Sequence, residues 1–182
     1  MPHLRLALAA SGLLIAVPVL ASCGFDYPTE RVNTVGAGVT DREGDVDVAG
    51  TLLVAGQADS GTLIGALSNN TDEAITLTSV TGGEKGTVKA DEFEPIEVPG
   101  HGHVNLATLA AADEGITVAG DFDAGDFVTI TLAFDDDQSI SMEIPVMKPC
   151  FQYEGLDNTA EEASEEPRYS CETAAPEAPA EH

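Results

Sequence analysis

Short runs in which apolar and polar residues alternate follow one another along residues 45–149. Such period-two spacing is typical of β-strands, because successive side chains of a strand point to opposite faces of the sheet. Valine, isoleucine and threonine, which strands favour, are frequent in these runs. The pattern predicts strands over residues 46–54, 63–67, 75–80, 96–98, 104–106, 116–118, 127–134 and 140–146.

Turn-forming residues separate these runs, as in the Asn-Asn-Thr-Asp sequence at 69–72 and the three aspartates at 135–137. The only helix that the pattern predicts is one or two turns long, at residues 106–112. Many short strands with almost no helix between them are typical of an all-β fold. We therefore predict an antiparallel β-sandwich over residues 45–149.

An uncharged apolar run over residues 6–20 precedes the strand pattern and follows Arg5. A positively charged start followed by such a run is typical of a secretory signal peptide. A membrane-spanning helix needs about twenty apolar residues, and Pro18 disfavours one here. We therefore expect residues 1–22 to be a signal peptide that is cleaved.

The tetrad Leu20-Ala21-Ser22-Cys23 ends this run. It resembles the lipobox of bacterial lipoproteins, in which the cysteine thiol receives a diacylglyceryl group and the chain is cut just before it. The resemblance implies that Cys23 anchors the protein to the outer face of the bacterial cytoplasmic membrane. Each buried methylene contributes about 0.8 kcal/mol, so two acyl chains such as palmitate hold firmly. Residues 23–44 show no periodicity, and we predict a spacer there.

Acidic residues dominate the composition, with 32 Asp and Glu against 7 Lys and Arg and a formal net charge of −25. Nucleic acids and anionic lipid headgroups are bound by clustered Lys and Arg, so the composition excludes both as partners. Beyond the membrane contact through the lipid, the expected partner is an unknown envelope protein or a small ligand.

The chain has three cysteines. Lipidation of Cys23 leaves Cys150 and Cys171, and in an oxidising compartment a disulfide between them is the default. A redox-active pair is disfavoured because the two do not form a Cys-x-x-Cys motif. Residues 150–182 are rich in Glu, Ala and Pro, so we predict a disulfide-closed loop that continues into a disordered acidic tail.

Three stretches share order and spacing with a known family: residues 61–71 (GTLIGALSNNT), residues 95–100 (PIEVPG) and residues 125–134 (GDFVTITLAF), the last followed by a strand ending in Ile144-Pro145-Val146. The chain resembles the PCu(A)C domain of periplasmic copper chaperones and, more closely, actinobacterial lipoproteins of the LpqE kind. The resemblance covers under half of the chain. It implies a cupredoxin-like or immunoglobulin-like β-sandwich.

The resemblance does not extend to the copper ligands. In the copper chaperones a His and several Met hold the metal, including a His-x-Met pair before the penultimate strand. Residues 114–120 (EGITVAG) stand there in this chain and contain neither His nor Met. Cu(I) selects thioether and imidazole ligands, so the copper motif is not retained.

His101 and His103 are the most suggestive pair of metal-binding residues. On a strand, residues two apart lie on the same face, so both imidazoles could reach one copper or zinc ion. A solvated turn explains the pair equally well, because structural sites usually have four ligands. Met142 and Met147, at an odd spacing, are predicted to lie on opposite faces of one strand, with Met142 in the core.

No motif indicates catalysis. The acidic turns at 121–126 and 135–137 fit no EF-hand register, and the chain has neither a Gly-x-Ser-x-Gly elbow nor a His-Glu-x-x-His motif. The sequence therefore favours a non-enzymatic, membrane-anchored binding or interaction module of the cell envelope, without a cofactor. The alternative is an extracytoplasmic metal chaperone or scavenger, for copper or zinc, whose ligands have changed to His101, His103 and acidic residues.

Overall fold

The computed structural model describes residues 37–82, 88–161 and 169–171. The predicted signal peptide, the lipidation site Cys23 and the acidic tail from residue 172 lie outside these residues. Within the described ranges, no helix is long and apolar enough to cross a membrane. The strands are β1 Val39–Asp41, β2 Val46–Gln57, β3 Ser60–Asn69, β4 Ile75–Gly82, β5 Val88–Ala90, β6 Ile96–Val98, β7 His103–Asn105, β8 Ile116–Gly120, β9 Phe127–Phe134 and β10 Ser139–Met147. Helix α1 is Leu106–Ala110, and 3-10 helices follow at Phe151–Tyr153 and Asn158–Glu161.

The strands form one sheet that closes on itself. The order around the barrel is β2, β10, β9, β4, β5, β8 and β3, and β3 pairs with β2 to complete the ring. All of these pairings are antiparallel except the short parallel contact of β10 with β2. The all-β prediction is confirmed, as a closed sheet with a sandwich-like core. Strand β1, within the predicted spacer, pairs with β2, so the sheet begins before residue 45.

The apolar side chains of β2 change from one face of the sheet to the other halfway along the strand. Val46 and Val48 point into the main core, but Leu52 and Val54 belong to a second cluster outside the barrel. The exchange occurs at Gly50, which has a φ of 63° beside an irregularity in the pairing with β3. An extra residue in a strand reverses every following side chain, which is the effect of a β-bulge.

The main core fills the inside of the closed sheet. Strand β10 contributes every second residue to it, as the period-two pattern predicts, and Met142 is only 6% exposed. The prediction that Met142 is a core residue is confirmed. Met147 lies on the opposite face and packs against the outer cluster.

The outer cluster explains why β2 and β3 each contain adjacent apolar residues. Leu52, Val54 and Ile64 are buried on the outer face, where Tyr153 and Leu156 from the segment after Cys150 pack against them. These two strands are therefore covered on both sides. Within the described ranges, residues 151–159 therefore complete the fold.

Two adjacent residues fasten that segment to the barrel. The Asp157 carboxylate accepts hydrogen bonds from the Gly56 amide at 2.7 Å and from the Thr159 amide at 3.0 Å. The Asn158 side chain donates to the Ala110 carbonyl at 2.8 Å and accepts from the Gly115 amide at 2.9 Å. The segment is thus attached to β2, to α1 and to the start of β8.

The turn after β3 is organised by a buried asparagine. Asn69 is 2% exposed, and its amide group donates to the Glu73 carbonyl at 2.7 Å and to the Val98 carbonyl at 3.1 Å. Its side-chain oxygen accepts from the amide and the hydroxyl of Thr71, at 2.9 and 2.8 Å. All polar groups of the Asn69 side chain are therefore used, and they connect the end of β3 to β6.

Candidate binding grooves

The two histidines do not share a strand. His101 lies in the turn before β7 with a φ of 51°, and its ring nitrogen Nε2 is 2.9 Å from the Asp72 carboxylate. His103 is the first residue of β7 and is exposed. The same-face argument for the pair fails because His101 is outside the strand. The His101–Asp72 contact is itself largely exposed, and surface pairs of this kind contribute about 0 to 1 kcal/mol.

No group of three or more His, Cys, Asp or Glu side chains that could hold a metal ion occurs in the described ranges. The aspartates at 121–126 and 135–137 lie at turns, as predicted, and Asp135 accepts a hydrogen bond from the Thr76 amide at 2.9 Å. This bond, together with the Thr76 hydroxyl, lowers the pKa of Asp135. Metal binding by His101 and His103 stays a prediction, and these two imidazoles are the only individual ligands proposed for it.

We expect copper and zinc to leave the melting temperature of the protein nearly unchanged, and the double variant His101→Ala/His103→Ala to behave like the parent. Exposed turn substitutions typically change stability by less than about 0.5 kcal/mol. Differential scanning fluorimetry across a metal titration measures both proteins. A metal-dependent rise in melting temperature that the double variant abolishes, and that disappears below about pH 6 as imidazole protonates, would establish the site.

The predicted disulfide between Cys150 and Cys171 is confirmed. The two Cα atoms are 5.5 Å apart and the two sulfurs are bonded. Cys150 is nearly buried at the end of the barrel, whereas Cys171 is exposed. The bond brings residues 170–171 back to the end of β10, where they line one side of a groove.

This groove, termed the Phe151 groove, is lined by residues 124–125, 146–148, 150–153 and 170–171 and has a volume of about 390 Å³. Val146, Met147 and Tyr153 give it a mostly apolar surface. Phe151 is 74% exposed and has a φ of 57°, a left-handed conformation that is uncommon for a bulky residue. A phenylalanine in such a conformation costs about 1 to 3 kcal/mol, which the surrounding structure must offset.

Lys148 is the charged residue in the lining of the Phe151 groove, and it contacts Tyr169, the residue just before the lining residues Ser170 and Cys171. The Lys148 ammonium lies 5.5 Å from the centre of the Tyr169 ring and donates to the Ser170 carbonyl at 3.4 Å. The Tyr169 hydroxyl donates to the Asp123 carboxylate at 2.5 Å. The groove therefore has one cation beside an apolar surface.

Partial burial, followed by the hydrogen bond to Asp123, raises the pKa of Tyr169 above its usual value near 10. A raised pKa in the folded state means that folding favours the neutral phenol. The stabilisation is complete below the ordinary tyrosine pKa and is lost as the pH rises through the raised one. At neutral pH the Tyr169 hydroxyl therefore keeps the proton that it donates to Asp123.

A second groove, termed the Glu94 groove, lies beside β6 and β7. It is lined by residues 92–97, Val104, Leu109 and residues 114–116, and its volume is about 580 Å³. Its lining contains four glutamates but no lysine, arginine or histidine. It therefore differs from the Phe151 groove in the sign of its charge.

No protein-family model matches the chain, and no curated protein matches it. Solved PCuAC domains are similar to it at low identity. The apo PCuAC domain from PmoF1 is 16% identical with a TM-score of 0.49, over 61% of this chain and 100% of that chain. The copper-bound PCuAC domain from PmoF2 is 17% identical with a TM-score of 0.49, over 61% and 99%. At these identities and TM-scores the residue roles of those domains do not carry over to this chain, and the narrower resemblance to LpqE-like lipoproteins stays a prediction.

Sequence reasoning did not find either groove. Each is assembled from segments far apart in the chain, such as 146–153 with 170–171, and no local pattern reports such proximity. One signal was present: acidic and aromatic residues alternate in Glu92-Phe93-Glu94, which lies just before β6 and outside any strand. Alternation of bulky apolar and acidic residues outside a strand indicates a surface with both properties.

Proposed function

We propose that the protein is a non-enzymatic binding module, anchored by a lipid on Cys23 to the outer face of the cytoplasmic membrane, with the Phe151 groove as its binding surface. The observation that carries the proposal is the exposed Phe151, held in an unfavourable backbone conformation beside an apolar groove. Strained residues cluster where a structure serves a ligand. The groove volume is within the range of about 300 to 1,000 Å³ that is typical of small-molecule sites.

The ligand that fits this groove has an apolar body and an anionic group. The apolar body is matched by four side chains whose coverage removes apolar surface from water: Val146, Met147, Phe151 and Tyr153. Lys148 matches the anionic group. Cations are rare in this chain, which has 7 Lys and Arg against 32 Asp and Glu. A long-chain carboxylate has this chemistry and serves as the probe.

We expect a dansyl-labelled fatty acid to bind the purified protein with a saturable rise in fluorescence. The variant Phe151→Asn should bind it about tenfold more weakly, because it removes apolar contact area while asparagine tolerates the left-handed conformation. Lys148→Gln should weaken binding by about threefold or more through loss of the charge.

Two substitutions of the same kind outside the groove are the controls. Phe127 is 64% exposed and Lys89 is exposed on β5, and neither lines the groove. Phe127→Asn and Lys89→Gln should therefore leave the affinity unchanged. If the control variants weaken binding as much as the groove variants do, the probe binds the surface unspecifically and the Phe151 groove is not the site.

The anchor is tested separately by metabolic labelling with an alkyne analogue of palmitate. The parent chain should incorporate the label and sediment with membranes, and Cys23→Ala should do neither. A labelled Cys23→Ala protein would refute lipidation at this cysteine, while leaving the groove assignment untouched.

A further inference from the structure

The wall of the barrel has a gap between β6 and β7. Strand β6 pairs only with β4, and β7 pairs only with β3. Towards the other end of β4 and β3, the paired strands β5 and β8 bridge them. In the described part of the chain, β6 and β7 thus each have one edge without a neighbouring strand, and the Glu94 groove lies in the gap between them.

The floor of the Glu94 groove belongs to the main core. Phe93, Ile96, Val104 and Leu109 are half-buried and pack against that core, and Ile116 beneath them is 1% exposed. These side chains are held in place by the barrel, so the apolar surface is preformed. Covering it with an apolar ligand is favourable and requires little ordering of the protein.

The rim of the groove is acidic, and its negative charges are not balanced by nearby cations of the described ranges. Glu92, Glu94, Glu97 and Glu114 are exposed, and within the described ranges none of these carboxylates has an ion-pair partner. An occupant that carries positive charges would therefore gain electrostatic complementarity. The chain segment 172–182 contains three glutamates and neither lysine nor arginine, so like charges disfavour it as the occupant.

We propose that the Glu94 groove binds an extended peptide segment of another protein in which apolar residues alternate with Lys or Arg. Such a segment adds as a strand along the open edge of β6, at the end of the gap away from the tight turn at residues 99–102 that joins β6 to β7. Main-chain hydrogen bonds there provide affinity. Strand β6 already has the complementary alternation, with Ile96 half-buried, Glu97 exposed and Val98 buried. An added strand places its apolar side chains on the groove floor and a basic side chain beside Glu97, as a cross-strand pair.

The test is fluorescence anisotropy of a short fluorescein-labelled peptide that alternates Lys with Val, titrated with the purified protein. We expect saturable binding that weakens as salt screens the rim charges. The double variant Glu94→Lys/Glu97→Lys should bind at least about tenfold more weakly. Glu143→Lys/Asp121→Lys alters the net charge equally at exposed positions outside the groove, and should stay within about twofold of the parent.

Two altered peptides test strand addition without altering the protein. One carries N-methyl groups on alternate residues, which remove main-chain donors, and the other has the same composition with all Lys residues grouped together. Both should bind at least about tenfold more weakly, because strand pairing and alternation are each required. The proposal is overturned by an absence of saturable binding, by equal losses in the two double variants, or by unchanged affinity of either altered peptide.

Discussion

Replacing Asn69 with Ala is expected to lower the free energy of unfolding by about 3 kcal/mol. The substitution leaves the buried Val98 carbonyl and the Thr71 amide without their partner. A buried polar group that loses its hydrogen bond costs about 1 to 3 kcal/mol, and here several groups lose one together. Urea denaturation followed by circular dichroism measures the change.

Asn70→Ala is the matched control for this substitution. Asn70 is exposed, and its amide donates to the half-buried Asp47 carboxylate at 3.0 Å. Its replacement should change stability by less than about 0.5 kcal/mol. Because Asn69 connects β3 to β6, Asn69→Ala should also weaken binding of the alternating peptide. Equal stability of the two variants would mean that the Asn69 hydrogen bonds do not hold β6 in place.

Replacing both bridging cysteines, as Cys150→Ser/Cys171→Ser, is expected to lower the free energy of unfolding by about 3 kcal/mol. The cysteines are 21 residues apart, and a bond that closes a loop of this size restricts the unfolded chain to that extent. The barrel should remain folded, because its pairings and core do not include residues 169–171. Thermal denaturation with and without reductant checks the stability change.

The same variant separates the disulfide from the other attachments of the final segment. Asp157 and Asn158 still hold residues 157–159 on the barrel, whereas the groove-lining residues 170–171 lose their covalent connection to it. We therefore expect the fatty-acid probe to bind at least about tenfold more weakly, with peptide binding at the Glu94 groove unchanged. Tyr169→Phe, which keeps the disulfide, should retain most probe binding. Loss of peptide binding as well would show that the two grooves are not independent.

Period-two spacing predicted most strands of the barrel because alternation follows directly from strand geometry. The burial of Met142 and the short helix near Leu106 were predictable for similarly local reasons, and the pairing of Cys150 with Cys171 followed from the cysteine count. The exchange of faces at Gly50 was not, since a bulge inserts one residue without a distinctive composition. The adjacent apolar residues Leu52 and Leu53 did carry a signal, because burial on both faces produces such runs.

The segment after Cys150 was harder to predict than the strands. Its composition, rich in Glu and Ala, favours disorder, yet residues 151–161 pack on the outer face of β2 and β3. Tyr153 and Leu156 provide the apolar contacts, and Asp157 and Asn158 use their side chains to satisfy backbone groups of the barrel. Composition averages over such a segment, whereas a few well-placed side chains decide whether it is ordered.

The three strands with an open edge, β1, β6 and β7, are each three residues long, and all longer strands in the described ranges have neighbours on both sides. Exposed strand edges are the templates on which proteins aggregate, and very short edges suppress this. If Cys23 anchors the chain as proposed, each copy lies beside many identical ones and meets that risk continuously. Restricting open edges to strands of three residues suppresses pairing between crowded copies, and it leaves the gap between β6 and β7 as the place for the proposed peptide.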